Sequence, residues 1–422
     1  MTNRELDVYL LHSLAGKLRL SDQGMVFQYE TAYLATAQAL PLSLSLPLQT
    51  EPCDAQSSRH FFANLLPEGA VREVVARRHH LSPENDFDLL AALGGDCAGA
   101  VSLFPHGRQP DAIPPTYRPL SDKDLERLAQ EPFIAVPSFE DEGRMRLSLA
   151  GAQDKLPVAL LNGKICLPQD GAPSTHILKP QNPKFPHLVE NETFCLKLAA
   201  RLSLPVPTVD ILPHGDGFFL IERYDRRVNP DGGVRRIHQE DFCQALGVPH
   251  GRKYEAQGGP GFADCFNLAL RSTKEPLPAR KNLLRWAVFN YLIGNADAHA
   301  KNLSLLYLGR SPILAPFYDL VCTAAYAALS PHMAMAIGGA ADIRQVDLDN
   351  WRTLSLQSGD RKDTYLLRLL AQMAREAPPA AQRLAREMAK DRPCAIYQTI
   401  LEVISARADI LKRSLASISE SA

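Results

Sequence analysis

Apolar residues alternate with polar ones over short stretches early in the chain and recur at helical spacing toward its end. "DVYLL", "GKLRL", "GMVFQYE" and "LSLSLPL", between Asp7 and Leu48, are β-prone runs separated by turn residues, which predicts a small sheet. "FFANLLPEGAVREVVARRHHL" and "DFDLLAALGG" have helical apolar spacing, and "AGAVSLFP" returns to strand. These runs predict an α+β subdomain over residues 1–106. The proline-rich "GRQPDAIPPTY" suits a connection better than an element, so a linker is expected at 107–117.

A second β-rich stretch, residues 118–225, carries strand patterns at "RMRLSLAG", "KLPVALL", "KICLP", "THILK", "TVDILP" and "GFFLIERY", with one helix at "NETFCLKLAARLSL". Residues 226–422 turn mostly helical: "QEDFCQALG", "FADCFNLALR", "ARKNLLRWAVFNYLIG" and three long segments after Arg361. Short β runs interrupt only at "LSLLYLG" and "ILAPFYDLV". A β-rich lobe followed by an α-rich lobe, with small strands around a polar loop, is an α+β, bilobal, protein kinase-like fold, here preceded by an extra subdomain.

Composition narrows the function without choosing it. The 422 residues, 45% hydrophobic, suffice for sizeable cores, and 46 basic against 47 acidic residues give no global field toward nucleic acid or membrane. Eight cysteines never fall in a C-x-x-C spacing, which argues against zinc and for reduced thiols. No apolar run reaches membrane-spanning length and no leader pattern opens the chain, so a cytoplasmic location is expected.

The chemistry concentrates in "NYLIGNADAHAKNLSLL", Asn290 to Leu306, a polar cluster between two apolar runs. Phosphoryl transfer needs a carboxylate beside the acceptor hydroxyl, oxygen ligands for Mg²⁺ and a lysine on the phosphates. Asp297 and Asn302 stand in the D-x-x-x-x-N spacing of the kinase catalytic loop, and Asp319 in "PFYDLV" follows as a second metal carboxylate. Lys179 closes the apolar strand "THILKP". Glu192, on the next helix, shares a face with Cys195, Leu196 and Ala199, so it should point inward and can hold Lys179. Glu222, Arg223 and Tyr224, where an apolar strand runs into charges, are the expected hinge offering backbone hydrogen bonds to adenine. "SLAGAQDK", Ser148 to Lys155, offers small residues and a lysine as a phosphate-covering loop, although it lacks G-x-G-x-x-G.

Taken singly, each residue has a plainer reading. Asp297 could cap or turn, Lys179 could be a solvated strand end, Glu192 could be a first-turn acid favoured by the helix dipole, and His299 could bond within its loop. "GGPGF", Gly258 to Phe262, reads as a turn because no strand precedes it. The order of the set favours catalysis: lysine, helix glutamate, hinge, loop and metal aspartate follow one another as in kinases.

At these residues the sequence resembles the HipA toxin family of serine/threonine kinases. "SLAGAQDK", "THILKP", "ENETFC", "ERYDR", "YLIGNADAHAKN" and "PFYDL" are similar, in order, to its signatures, as are "PLSLSLPLQ", "FFANLLPEG" and "LLAALGGDCAGAVSLFP" nearer the start. The similarity thins after about Leu354. It implies that Asp297 is the catalytic aspartate, Asn302 and Asp319 the Mg²⁺ ligands, and Lys179 the lysine holding the phosphates of ATP. It further implies an adenine hinge at Glu222 and Tyr224 and a nucleotide loop at Ala150, Gly151, Ala152, Gln153, Asp154 and Lys155. His299, Lys301 and Tyr318 complete the implied nucleotide site, and Ser148 falls on the serine whose autophosphorylation ejects the loop and silences the kinase. Asp154 stands where glutamate is common, and Ala298 where glycine is common, which requires a φ below zero there.

The resemblance also implies partners: a HipB-like helix-turn-helix antitoxin facing the N-terminal subdomain, operator DNA reached only through that antitoxin, and a cytoplasmic protein substrate, an aminoacyl-tRNA synthetase being the family's best-known kind of target. Arg77 and Arg78 in "ARRHH" read first as a solvated basic face. Two alternatives stand beside the toxin kinase. One is a small-molecule or phosphoinositide kinase, since histidine two after the aspartate is also the lipid-kinase style. The other is a catalytically idle corepressor on DNA.

Overall fold

The computed structural model describes residues 4–108, 116–130, 155–230 and 233–421. Ser148, the loop residues Ala150 to Asp154 and the strand expected at "RMRLSLAG" lie outside the described residues. The chain divides into two compact units, Met1–Pro180 with Leu212–Gly251 and Leu306–Arg310, and Gln181–Ile211 with Arg252–Leu305 and Ser311–Ala422. This differs from the linear division expected: residues 1–106 and the 118–180 stretch share a unit, and the helix Leu188–Arg201 goes with the later helices.

The first unit opens with a four-stranded antiparallel sheet in the order Gly24–Tyr29, Ser13–Ser21, Arg4–Leu10, Val101–Pro105. Its alternation buries Leu6, Val8, Leu10, Leu18, Phe27 and Tyr29 against Phe61 and Phe62 of the helix Ala55–Ala63 and Phe87 and Leu90 of the helix Asp86–Leu93. Each such side chain contributes roughly 1.5–3 kcal/mol on leaving water. The run "FFANLLPEGAVREVVARRHHL" is not one helix. It breaks after Ala63 and resumes over Gly69–Arg78, because Pro67 lacks an N–H and disfavours the helical conformation at Leu66.

Nor does "LSLSLPL" form a strand; only the isolated bridge Ser43 to Leu46 remains. Other partners take the backbone groups that a ladder would use. The Tyr29 hydroxyl donates to Leu46 O at 2.6 Å and accepts from Leu42 N at 2.8 Å, while Leu44 N donates to Glu240 Oε1 at 3.1 Å.

A second antiparallel run in this unit orders Thr116–Pro119, Lys164–Gln169, Leu156–Leu161, His176–Pro180 and Phe218–Glu222. The end of the expected linker is therefore an edge strand, Thr116 facing Gln169 and Pro119 facing Cys166. "QEDFCQALG" is also corrected: its first residues belong to the strand His238–Asp241. A single helical turn, Phe242–Ala245, follows behind an Asp241–Gln244 capping box.

The second unit is helical, built from Leu188–Arg201, Phe262–Ser272, Pro276–Ile293, Leu348–Gln357, Thr364–Asp391 and Ile396–Ser421. Two long helices, not three, follow Arg361, and the shorter helix Leu348–Gln357 before it was not expected. In "ILAPFYDLV" only Ile313–Leu314 is strand, and the chain then runs irregularly past Pro316 to Asp319. Among the described residues no helix is long and apolar enough to cross a membrane.

Candidate active site

The polar loop begins where the buried helix Pro276–Ile293 ends. Gly294, at φ 69°, stops it: Gly294 N donates to Tyr291 O at 3.1 Å and Asn295 N to Asn290 O at 2.8 Å, the two bonds of a Schellman cap. A Cβ on Gly294 would lie 2.7 Å from that of Ala324, so glycine is required sterically as well. Thr323 Oγ1 then donates to Gly294 O at 2.9 Å and accepts from Ala296 N at 2.8 Å. Asn295 bonds Asn290 Oδ1 through its amide nitrogen and Asp297 N through its carbonyl oxygen.

These bonds answer why so polar a segment can be buried. Asn290, Asn295, His299, Lys301 and Asn302 are all buried, and so are the small residues Ala296, Ala298 and Ala300. Asp297 alone between Asn290 and Asn302 is exposed. Ala298 is not among the residues with positive φ, so alanine meets the condition set for that position. Asn302, in the 3₁₀ turn Ala300–Asn302, turns its amide nitrogen to Asp297 O at 3.3 Å, leaving its carbonyl oxygen as the ligand atom an ion would take.

Tyr318 Oη donates to Lys301 O at 2.7 Å and lies 2.9 Å from Ser304 Oγ, tying the "PFYDL" segment to the end of the loop. The next residue, half-buried Asp319, has φ 58°. Such a backbone is costly for a non-glycine residue and persists only where its surroundings impose it, which is common at ligand sites. Three residues on, Asn191 of the helix Leu188–Arg201 clamps Cys322, accepting its N–H at 2.8 Å and donating to its carbonyl at 3.0 Å. Glu192 on that helix is 1% exposed, pointing inward as its shared face predicts.

In the other unit Lys179 is buried on the strand His176–Pro180, facing Phe219 of Phe218–Glu222, with its ammonium 5.3 Å from that ring's centre. Lys155 is half-buried just before Leu156–Leu161. Glu222 is exposed and pairs with His176, and the Tyr224 hydroxyl bonds Gln239.

Arg223, expected in the hinge, has its N–H and its guanidinium engaged within the fold. Its N–H donates to Thr175 O at 2.9 Å, its carbonyl accepts from Arg226 N at 3.2 Å, and its guanidinium reaches Asp225, Ser174 and Cys97 O. It belongs to a buried ion network in which Asp96 pairs with Arg226 at 2.7 Å and Arg236 at 3.1 Å, and Asp225 also accepts Gly99 N at 2.7 Å. Burial opposes the charge on Asp96, yet Arg226, Arg236 and Arg223 together hold its carboxyl well below the usual range.

Sequence reading missed Thr323, Asn191, Tyr254 and Asp96. Asn191 lies inside "ENETFC", but nothing local marks its reach across 131 residues to Cys322. Tyr254 donates to Asp297 Oδ1 at 3.0 Å from 43 residues upstream. Two other clusters among the described residues have donor atoms close enough for a cation, His187 with Glu190 and Cys394, and Glu5 with Asp7 and His106. Arg392 already pairs with Glu190, and Lys17 and Arg19 with Glu5, so neither presents an uncompensated carboxylate cluster.

Comparison with known proteins places this geometry. Residues 6–104 match the HipA N-terminal domain and residues 147–390 the HipA-like C-terminal domain. Y4mE of Sinorhizobium fredii is 44% identical over 85% of this chain and 87% of its own length. The serine/threonine-protein kinase toxin HipA of Shewanella oneidensis is 34% identical over 79% of this chain and 78% of its own. A solved structure of the Shewanella oneidensis MR-1 HipA, HipB and operator DNA complex superposes with a TM-score of 0.85 at 28% identity, covering 98% of this chain and 99% of the other. With both domains matched and that fold shared, the chain belongs to the HipA family and has its α+β, kinase-like fold.

Proposed function

We propose that the chain is an ATP- and Mg²⁺-dependent serine/threonine protein kinase and the toxin of a HipBA-like toxin-antitoxin pair. The observation that carries this is the loop itself: a wholly buried, internally bonded polar segment that puts one carboxylate, Asp297, into solvent. Asn302 and Asp319 fit Mg²⁺ by donor chemistry, an amide oxygen and a carboxylate being the hard ligands that ion prefers. When bound, the ion would neutralise phosphate charge. Asp297 orients the acceptor hydroxyl and takes its proton, and Lys179 holds the phosphates.

The acceptor we propose is a seryl or threonyl hydroxyl of a cytoplasmic protein, an aminoacyl-tRNA synthetase being the first to test. The intact Lys179, Asp297, Asn302 and Asp319 set favours catalysis over an idle corepressor, and the HipA N-terminal domain favours a toxin over a small-molecule kinase. The likeness to HipA in its complex with HipB and operator DNA supports an antitoxin partner, with DNA reached through it. Exposed Arg77 on Gly69–Arg78 makes an Nε–H contact to its own helix at 3.4 Å, which supports a solvated face rather than a phosphate grip.

Incubation of the purified protein with Mg²⁺-ATP followed by mass spectrometry tests the reading. We expect phosphate on Ser148 and a parallel fall in activity, since about −1.5 to −2 charge beside the nucleotide loop repels ATP. An active sample with Ser148 unmodified would remove the self-inactivation, and a sample that neither binds ATP nor transfers phosphate would remove the kinase.

A further inference from the structure

We infer that Tyr254 is a positioning residue for Asp297, a fixed phenol that sets the direction of the catalytic carboxylate. The inference rests on the kinase reading above. Asp297 is exposed, and the hydrogen bonds that its oxygens accept set where they point. The Tyr254 hydroxyl donates to its Oδ1 at 3.0 Å, while the Tyr254 ring meets His299 edge-on at 5.6 Å between centres. Holding one carboxylate oxygen fixes where the other points.

Tyr254 is itself held. Its carbonyl accepts Gln257 N at 2.9 Å and Gly259 N at 3.0 Å, closing a tight turn. Gly258 adopts φ 80°, and a Cβ on Gly259 would lie 2.2 Å from Arg252 O and 2.8 Å from Tyr254 O, so this turn requires its glycines. "GGPGF" is thus the pedestal beneath Tyr254.

The neighbouring strand His332–Ile337 keys this turn to the catalytic loop. Ala334 N donates to Ala296 O, next to Asp297, at 2.7 Å. Ala336 N donates to Glu255 Oε2, next to Tyr254, at 2.6 Å. Adjacent residues on one strand side therefore hold the loop and the turn in register, so the contact between Tyr254 and Asp297 is imposed from both ends.

In the reaction the acceptor oxygen bonds to the γ-phosphorus, the bond from that phosphorus to the β–γ bridging oxygen breaks to release ADP, and the acceptor proton passes to Asp297 and on to solvent. Tyr254 transfers nothing; it keeps the receiving oxygen aimed. Its loss should lower turnover and leave ATP binding alone.

The test compares wild type, Tyr254→Phe, Asp297→Ala and the double variant of the full chain, following label leaving the γ-position of radiolabelled Mg²⁺-ATP, to water or to protein. We expect Tyr254→Phe to lower kcat by about tenfold to a hundredfold, the range for one hydrogen bond to a charged group, with KM for ATP within about twofold. In the Asp297→Ala background the same change should cost nothing further, because the phenol acts through that carboxylate. An unchanged or faster Tyr254→Phe, the latter marking the phenol as a plug, or an equal loss in both backgrounds would overturn the inference while the kinase reading stands. No label leaving the γ-position with wild type would overturn both.

Discussion

Two polar clusters, built from similar residues, use burial to opposite ends. Around Asp96, two aspartates and three arginines are drawn from segments some 130 residues apart, and both acids are paired with arginine. In the loop from Asn290 to Asn302, by contrast, amides and a threonine hydroxyl satisfy the backbone while the single acid stays in water. Exposure distinguishes them: the ion network keeps its acids inside the fold, whereas the loop brings one acid, bonded by Tyr254, to the surface. Arg223 shows how close the two can come, since the position expected to read adenine is absorbed into the ion network.

The sharpest way to break this contrast is Asp297→Asn. We expect a fall in transfer rate on the order of 10² to 10⁴, the usual contribution of a positioned base, with nucleotide affinity retained. Label transfer and calorimetric titration with Mg²⁺-ATP measure the two, and wild-type turnover would remove Asp297 from its role. Stability should barely change, because the residue is exposed.

Asp96→Asn should do the reverse. Removing one partner of a buried network leaves arginines uncompensated and costs about 3–5 kcal/mol. The urea midpoint reads this directly, and a midpoint within error of wild type would mean that the network is dispensable. Its pH sense is also set: a carboxyl held below its ordinary value stabilises the fold above pH 4 or so and loses that contribution in acid.

Glu240 sharpens the comparison from within the same unit. It accepts hydrogen bonds from the Ser43 and Tyr307 hydroxyls and from Leu44 N but has no buried arginine, so burial pushes it up to about 7 despite those donors. The folded state then binds this proton more tightly than the unfolded one. Its contribution is full below the ordinary value of 4.5 and is lost as pH rises to about 7. Wild type should lose on the order of 3 kcal/mol across that window from this group, and Glu240→Gln should not. Urea midpoints at pH 5 and pH 8 compare them, and parallel pH dependence in both would show that Glu240 ionises freely.

Local periodicity was sufficient for much of the architecture. The strands of the N-terminal sheet, the helices Phe262–Ser272 and Pro276–Ile293 and the strand carrying Lys179 follow from alternation and from helical spacing, because each buries one face of a regular element. Within the second unit the burial of Glu192 and the lone exposure of Asp297 were legible in part, since a helix face and a loop spacing are local properties. Where long-range partners competed for the backbone, local reading failed. "LSLSLPL" has strand alternation but gives its amides and carbonyls to Tyr29 and Glu240, and "QEDFCQALG" gives its start to a strand.

The tertiary structure alone decided which polar residues were drawn into the interior and which reached the surface. Nothing near Arg223 in the chain announces Asp96, and nothing near Asp297 announces Tyr254 or Thr323. A hydrogen bond acts over about 3 Å, whatever the sequence separation. Composition and spacing therefore identify the groups capable of chemistry, while their availability depends on what folding brings against them.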